Sequence, residues 1–126
     1  MKSFIISVII GILVISGCMY STYCIENVSK ELREDNKKIV NFLKEEDFRG
    51  AKEVAKDMSD YLDEEKVKLA IIMDHSELDK IELGIAELEG YIEGEIKTDA
   101  LAKCSMIDVM VRHMPKNYKV KFENVL

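Results

Sequence analysis

The sequence predicts an all-α protein: an N-terminal transmembrane helix that continues into an antiparallel bundle of about four helices and ends in a short extended C-terminal tail. Three observations lead there. The first 25 residues carry one charge, at Lys2. The remainder repeats apolar residues at helical spacing. Helix breakers are scarce, with one Pro and six Gly in 126 residues, there is no Trp, and strand formers are sparse outside the apolar N-terminal run. The chain is expected to divide at residue 25, with an anchor or signal segment over 1–25 and an acidic helical domain over 26–126.

From Ser3 to Ile25 the chain reads SFIISVIIGILVISGCMYSTYCI, without a charged side chain. As a helix this run rises about 34 Å, enough to cross a hydrocarbon core of ~30 Å. Tyr20 and Tyr23 fall near its outer end, where amphipathic rings favour the headgroup region. The membrane is therefore the expected partner of residues 3–25. A second reading uses the same residues. Ile15-Ser16-Gly17-Cys18 has the small-residue spacing of a lipoprotein cleavage site, with Lys2 as the charged end and Phe4–Ile15 as the apolar segment of a signal peptide. Lipid on Cys18 would then hold the domain at the membrane. Against this, the chain stays apolar from Cys18 to Ile25, where a lipoprotein normally begins a polar tether.

Past the anchor, Val28, Leu32, Ile39, Phe42 and Leu43 keep helical spacing, and neither Gly nor Pro intervenes after Gly17. The first helix is thus expected to run unbroken to about Lys44. Asp47 is suited to cap a second, Phe48 to about Met73, because its carboxylate can accept from the unpaired first amides. Asp74 and Glu77 have capping-box spacing. They open a third helix with Leu78, Ile81, Ile85, Leu88 and Ile92 inward, ended by Gly94. Thr98 is expected to cap a fourth, with Leu101, Cys104, Ile107, Val111 and Met114 inward and Pro115 closing it. Tyr118, Val120 and Phe122 alternate with polar residues, as in an extended segment packed on the bundle. The junctions around Asp47-Phe48 and Lys97-Thr98 suggest a helical hairpin made twice, although two units fall short of a repeat array.

The sequence resembles an uncharacterised bacterial family, domain-of-unknown-function family 4363. The resemblance rests on Met1-Lys2-Ser3-Phe4 leading into the apolar run, Glu46-Asp47-Phe48 with Ala51, and Ile72-Met73-Asp74-His75-Ser76-Glu77-Leu78-Asp79. It continues through Ile81-Glu82-Leu83, His113-Met114-Pro115 and Asn124-Val125-Leu126. It runs nearly end to end and implies a membrane-anchored helical protein of bacteria with no assigned activity. It also implies a plain apolar anchor in place of a lipidated cysteine.

No residue pattern points to catalysis. None of the serines sits in a Gly-x-Ser-x-Gly elbow, and Gly-rich phosphate loops are absent. Cys18, Cys24 and Cys104 lack the spacing of a zinc site or redox dithiol. Cys104 reads as a packed core residue. The densest polar cluster is Asp74, His75, Glu77 and Asp79, in which His75 and Asp79 share a helix face and are the weak metal candidates. The bland reading is that these residues cap and solvate the start of helix three. His113 reads as a cation at a helix C-terminus. Met58, Met73, Met106, Met110 and Met114 follow the core stripe. All 24 acidic side chains and all but one of the 18 basic ones come after Ile25, a balance that disfavours nucleic acid or an anionic lipid surface as the main partner.

The expected function is a non-enzymatic interaction or scaffold module of the bacterial cell membrane, single-pass, without a cofactor, its domain extracytoplasmic and bound to another membrane or envelope protein. A ligand- or metal-sensing domain is the alternative. On orientation two rules conflict. A short N-terminus before a long apolar run favours export of the downstream domain, whereas Lys30, Arg33, Lys37 and Lys38 near the exit of the run favour retention inside.

Overall fold

Helix α1 spans Lys2–Lys44 without a break, 43 residues or about 65 Å. In the computed structural model, which describes the backbone of residues 1–125 and the side chains of residues 1–116, three more helices come after it: α2 (Phe48–Ile72), α3 (His75–Glu93) and α4 (Lys97–Val125). The character of α1 changes along its length. Every residue from Met1 to Gly17 is exposed, whereas from Cys24 onward one stripe is buried, through Ile25, Val28, Leu32, Ile39 and Leu43. Cys24 and Ile25, grouped with the anchor because they are uncharged, are thus part of the bundle core.

Each helix packs on two neighbours, α1 and α3 both lying between α2 and α4, and among the described residues the diagonal pairs do not meet. The neighbours are antiparallel. Side chains of α1 reach α4 at Ser29–Val111, Arg33–Asp108 and Asn36–Cys104, so one helix is climbed as the other is descended. The inward stripe expected for α3 is buried throughout, at Leu78, Ile81, Ile85, Leu88 and Ile92. Among the methionines, Met58, Met73 and Met114 are buried as expected, whereas Met106 is half exposed.

The turns at the far end of the bundle are built alike. After α1, Glu46 adopts a left-handed φ of 59°; its N–H donates to the Leu43 carbonyl and that of Asp47 to Phe42. After α3, Glu95 does the same at φ 56°, its N–H donating to Ile92 and that of Ile96 to Tyr91. This pairing satisfies the last carbonyls of each helix, and glycine usually fills the left-handed position. Gly94, expected to end α3, is indeed its cap but keeps a right-handed φ of −77°. Asp47 caps α2 as expected, accepting from Gly50 N–H at 3.0 Å. Gly50 is required there, since a Cβ would lie 2.7 Å from the Phe42 ring.

The likeness extends into the core. A single offset along the chain takes Leu32 to Ile81, Ile39 to Leu88, Leu43 to Ile92, Ala51 to Ala100, Ala55 to Cys104, Met58 to Ile107 and Leu62 to Val111, all buried. The bundle is therefore one hairpin pattern used twice. At two positions buried in both helices the chemistry differs: Ser29 and Asn36 of α1 stand where α3 has Leu78 and Ile85, and they are the buried polar residues of the described core.

Three expectations for the fourth helix are corrected. Helix α4 opens at Lys97, so Thr98 lies within its first turn and does not precede it. Pro115 does not close it; the helix continues through Pro115 to Val125. The tail containing Tyr118, Val120 and Phe122 is accordingly helical in backbone and not extended, and Leu126 lies outside the described residues. The physical reason is found across the bundle. Proline lacks the N–H that would bond the carbonyl four residues back, here Val111. The Ser29 hydroxyl, buried on α1, donates to that same Val111 carbonyl at 2.9 Å. A side chain from α1 thus replaces the missing helix bond.

Asn36 also donates to α4, Nδ2 to the Cys104 carbonyl at 2.8 Å, but its buried Oδ1 has no hydrogen-bond partner among the described residues. The Cys104 carbonyl, unlike that of Val111, faces an ordinary amide four residues on. The two polar contacts should therefore differ in sign when removed. Ser29→Ala strands a buried carbonyl and is expected to destabilise the bundle by about 1–3 kcal/mol. Asn36→Leu relieves an unpaired acceptor and is expected to be neutral or stabilising by about 1 kcal/mol. Denaturant melts of the two variants in one detergent provide the check; equal destabilisation would contradict this account of the seam.

Candidate functional site

The exposed N-terminal part of α1 is the least ordinary surface of the molecule. Phe4 is 74% exposed and Leu13 66%, with Ile5, Ile6, Ile9, Ile10, Ile12, Val14 and Ile15 all more than half exposed. By length and composition α1 is the one described helix able to cross a membrane, and no part of its most apolar window is buried. Ser7 and Ser21 do not interrupt the apolar run, because they return their hydroxyl protons to the carbonyls of Ser3 and Gly17 one turn back. Cys18 is partly exposed, and its carbonyl accepts from the Thr22 hydroxyl at 3.0 Å. The bundle begins beside Tyr20, whose ring centroid lies 5.7 Å from Lys68 Nζ near the end of α2.

His75 and Asp79 stand on the exposed first turns of α3, and Asp74 caps that helix through Ser76 N–H. No group of three or more His, Cys, Asp or Glu converges on a cation position among the described residues. His113 is not at a helix end, since α4 continues past it. It lines an open groove of about 200 Å³ between α3 and α4 with Glu77, Lys80, Ile81, Val109 and Met110. A second open groove, of about 400 Å³ between α1 and α4, is lined by Asn36, Val40, Lys44, Cys104, Ser105 and Asp108. Asp108 is the hub of a short charge chain at this groove, accepting from Arg112 at 2.8 Å and lying 3.5 Å from Arg33 Nε.

Negative charge gathers along the α1–α2 seam. Burial pushes the Asp35 carboxyl above its ordinary range, and Glu31, Asp57 and Glu34 add to the rise against the opposing Lys38. Burial and then Glu65 and Glu31 push the Tyr61 hydroxyl up on the facing helix. At the surface of this seam the Lys38 ammonium lies 3.9 Å from Asp35, three residues back on the same helix. Sequence reasoning missed Ser29 and Asn36, although each sits in the apolar stripe of α1 and so was visible as a polar residue at a core position.

Cys104 is fully buried, as expected of a packing residue, and burial pushes its thiol from 9.0 up to about 12. In the unfolded chain the thiol ionises near its ordinary value, so above pH 9 the unfolded state holds fewer protons than the folded one. Stability is expected to fall between pH 9 and pH 12 by about 1 kcal/mol per pH unit from this group. Cys104→Ala should lose that component of the slope, read as the difference between the two pH–stability curves; parallel curves would contradict it.

No curated protein matches the chain, and no solved structure does. A family model does match, over residues 19–125, and its description is Domain of unknown function (DUF4363). The match begins at the point where α1 enters the bundle and runs to the end of α4. This covers the whole four-helix unit and leaves out most of the exposed apolar stretch. The chain therefore belongs to the DUF4363 family.

Proposed function

We propose that this protein is a membrane-tethered, non-enzymatic interaction module. Helix α1 crosses the bilayer once and carries the bundle on the extracytoplasmic side of a bacterial cell membrane, where the acidic α1–α2 face engages another membrane or envelope protein. One observation carries the reading: α1 passes from an apolar stretch, exposed among the described residues, into the bundle core as a single helix. That much exposed aliphatic surface is unfavourable in water by roughly 25 cal/mol per Å², whereas in lipid it is at rest. The acidic seam of Glu31, Glu34, Asp35 and Asp57 supports a basic partner surface, because crowded carboxylates are relieved by an opposing charge.

A second reading keeps the tether and changes its chemistry. Cleavage before Cys18 with lipid on the new terminus would leave the family-matched residues, 19–125, intact. Intact mass of the protein extracted from its own membrane separates the two, since the spanning form retains residues 1–17.

Two measurements test the leading proposal. The full-length protein is expected to stay in the membrane pellet through an alkaline carbonate wash and to need detergent for release; release by carbonate alone would contradict anchoring. A photocrosslinking residue at Glu34 is expected to give a heterologous adduct in native membranes that one at Leu83, on α3, does not. Recovery of the monomer alone from both sites would contradict the interaction role.

A further inference from the structure

The length of α1 that stands clear of the bundle limits how far the bundle can sit from the lipid. Lys68 Nζ approaches the Tyr20 ring, which places the end of α2 level with Tyr20. From Lys2 to Met19 a helix rises about 27 Å, slightly less than a hydrocarbon core of ~30 Å. There is no slack between the two. Immersing the apolar run necessarily brings the α2–α3 end of the bundle down to the headgroups.

That end is dressed for such a place. Val67 and Ile71 lie one turn apart on α2 and are 75% and 82% exposed, on the face opposite the buried Leu69. Among the described residues Ile71 is the most exposed aliphatic side chain of the bundle helices, and it sits about 4.5 Å nearer the anchor than Lys68. Tyr20 and Tyr23, each 61% exposed, occupy the same level on α1. Lys66 and Lys68 flank the pair, Lys66 bonded to Glu82 of α3 and Lys68 held over Tyr20. Aliphatic tips next to aromatic rings and long amines match the order of a bilayer boundary, from acyl chain to phosphate.

We propose that this end of the bundle is itself a lipid-contacting surface. Val67 and Ile71 enter the boundary between acyl chains and headgroups of a phospholipid bilayer beside Tyr20, with the Lys68 ammonium at the phosphates. The domain is thereby held at a fixed height and rotation and does not swing from its anchor. The inference rests on the reading that α1 spans the membrane, and it adds a second, independent contact. It also qualifies the expectation drawn from net charge, because the contact is apolar and local.

The chain has no tryptophan, so single Trp substitutions report position directly. Three full-length variants, Val8→Trp in the apolar run, Ile71→Trp, and Ile96→Trp at the opposite turn, all at exposed sites, are reconstituted into phosphatidylcholine–phosphatidylglycerol vesicles with and without lipid brominated near the headgroup. Val8→Trp and Ile71→Trp are expected to emit at shorter wavelength than Ile96→Trp and to be shielded from acrylamide. Ile71→Trp is expected to lose most of its emission to the brominated lipid, while Ile96→Trp keeps its own. If Val8→Trp is shielded but Ile71→Trp behaves like Ile96→Trp, the bundle stands off the bilayer and the proposal falls while the anchor stands. If Ile71→Trp is shielded yet not quenched by bromine, protein covers the patch and the proposal falls. If Val8→Trp is itself open to acrylamide, the anchor and the lipid contact fall together.

Discussion

One helix carries two kinds of surface. Helix α1 is apolar on all sides through Gly17 and apolar on one side from Cys24 onward, and no residue between them allows the chain to turn. A rigid connection of this kind fixes the bundle relative to the surroundings of the exposed stretch. A flexible tether of Gly and Ser would leave the domain free to tumble. Here the rotation and height of α2, α3 and α4 relative to the exposed stretch are set by the direction of α1 alone. The positions of the acidic seam and of the Val67–Ile71 pair are consequences of that one constraint.

The bundle accommodates this by treating its two hairpins unequally. They share turn geometry and most core positions, down to the left-handed Glu46 and Glu95. They part where α1 lies against α4. On that seam Ser29 bonds the carbonyl freed by Pro115, Asn36 bonds a second carbonyl, and Arg33 reaches toward Asp108. Polar contacts inside an apolar core add directional information that interchangeable aliphatic residues lack. The seam therefore joins α1 to α4 in one register. The matching positions in α3 are Leu78 and Ile85, which fill space without specifying a partner.

Much of the fold was legible in the sequence because it is local. Asp47 and Asp74 cap helices by bonding amides two or three residues away, and the stripe from Leu78 to Ile92 needs nothing beyond periodicity. The uncharged run to Ile25 announces an apolar environment, but lack of charge is common to lipid and protein cores, so the entry into the bundle at Cys24 could not be read. Pro115 misled for a different reason. The rule that proline stops a helix assumes that nothing replaces the lost bond, and the replacement comes from Ser29, distant in the chain and adjacent only after folding. The left-handed turns were hidden likewise, since Gly94 drew the expectation one residue short of Glu95. Of the candidate surface, the apolar run was plain, whereas Val67 and Ile71 resemble ordinary exposed aliphatics until α2 is placed level with Tyr20.

The central claim is that α1 is one unbroken helix from the apolar stretch into the bundle core, and backbone hydrogen exchange of the full-length protein in lipid nanodiscs tests it most directly. Amides from Gly17 to Ile25 are predicted to be protected as strongly as those around Leu32. Exchange across Gly17–Ile25 as fast as at the Glu46 turn would reveal a hinge, and a hinge there would contradict the claim.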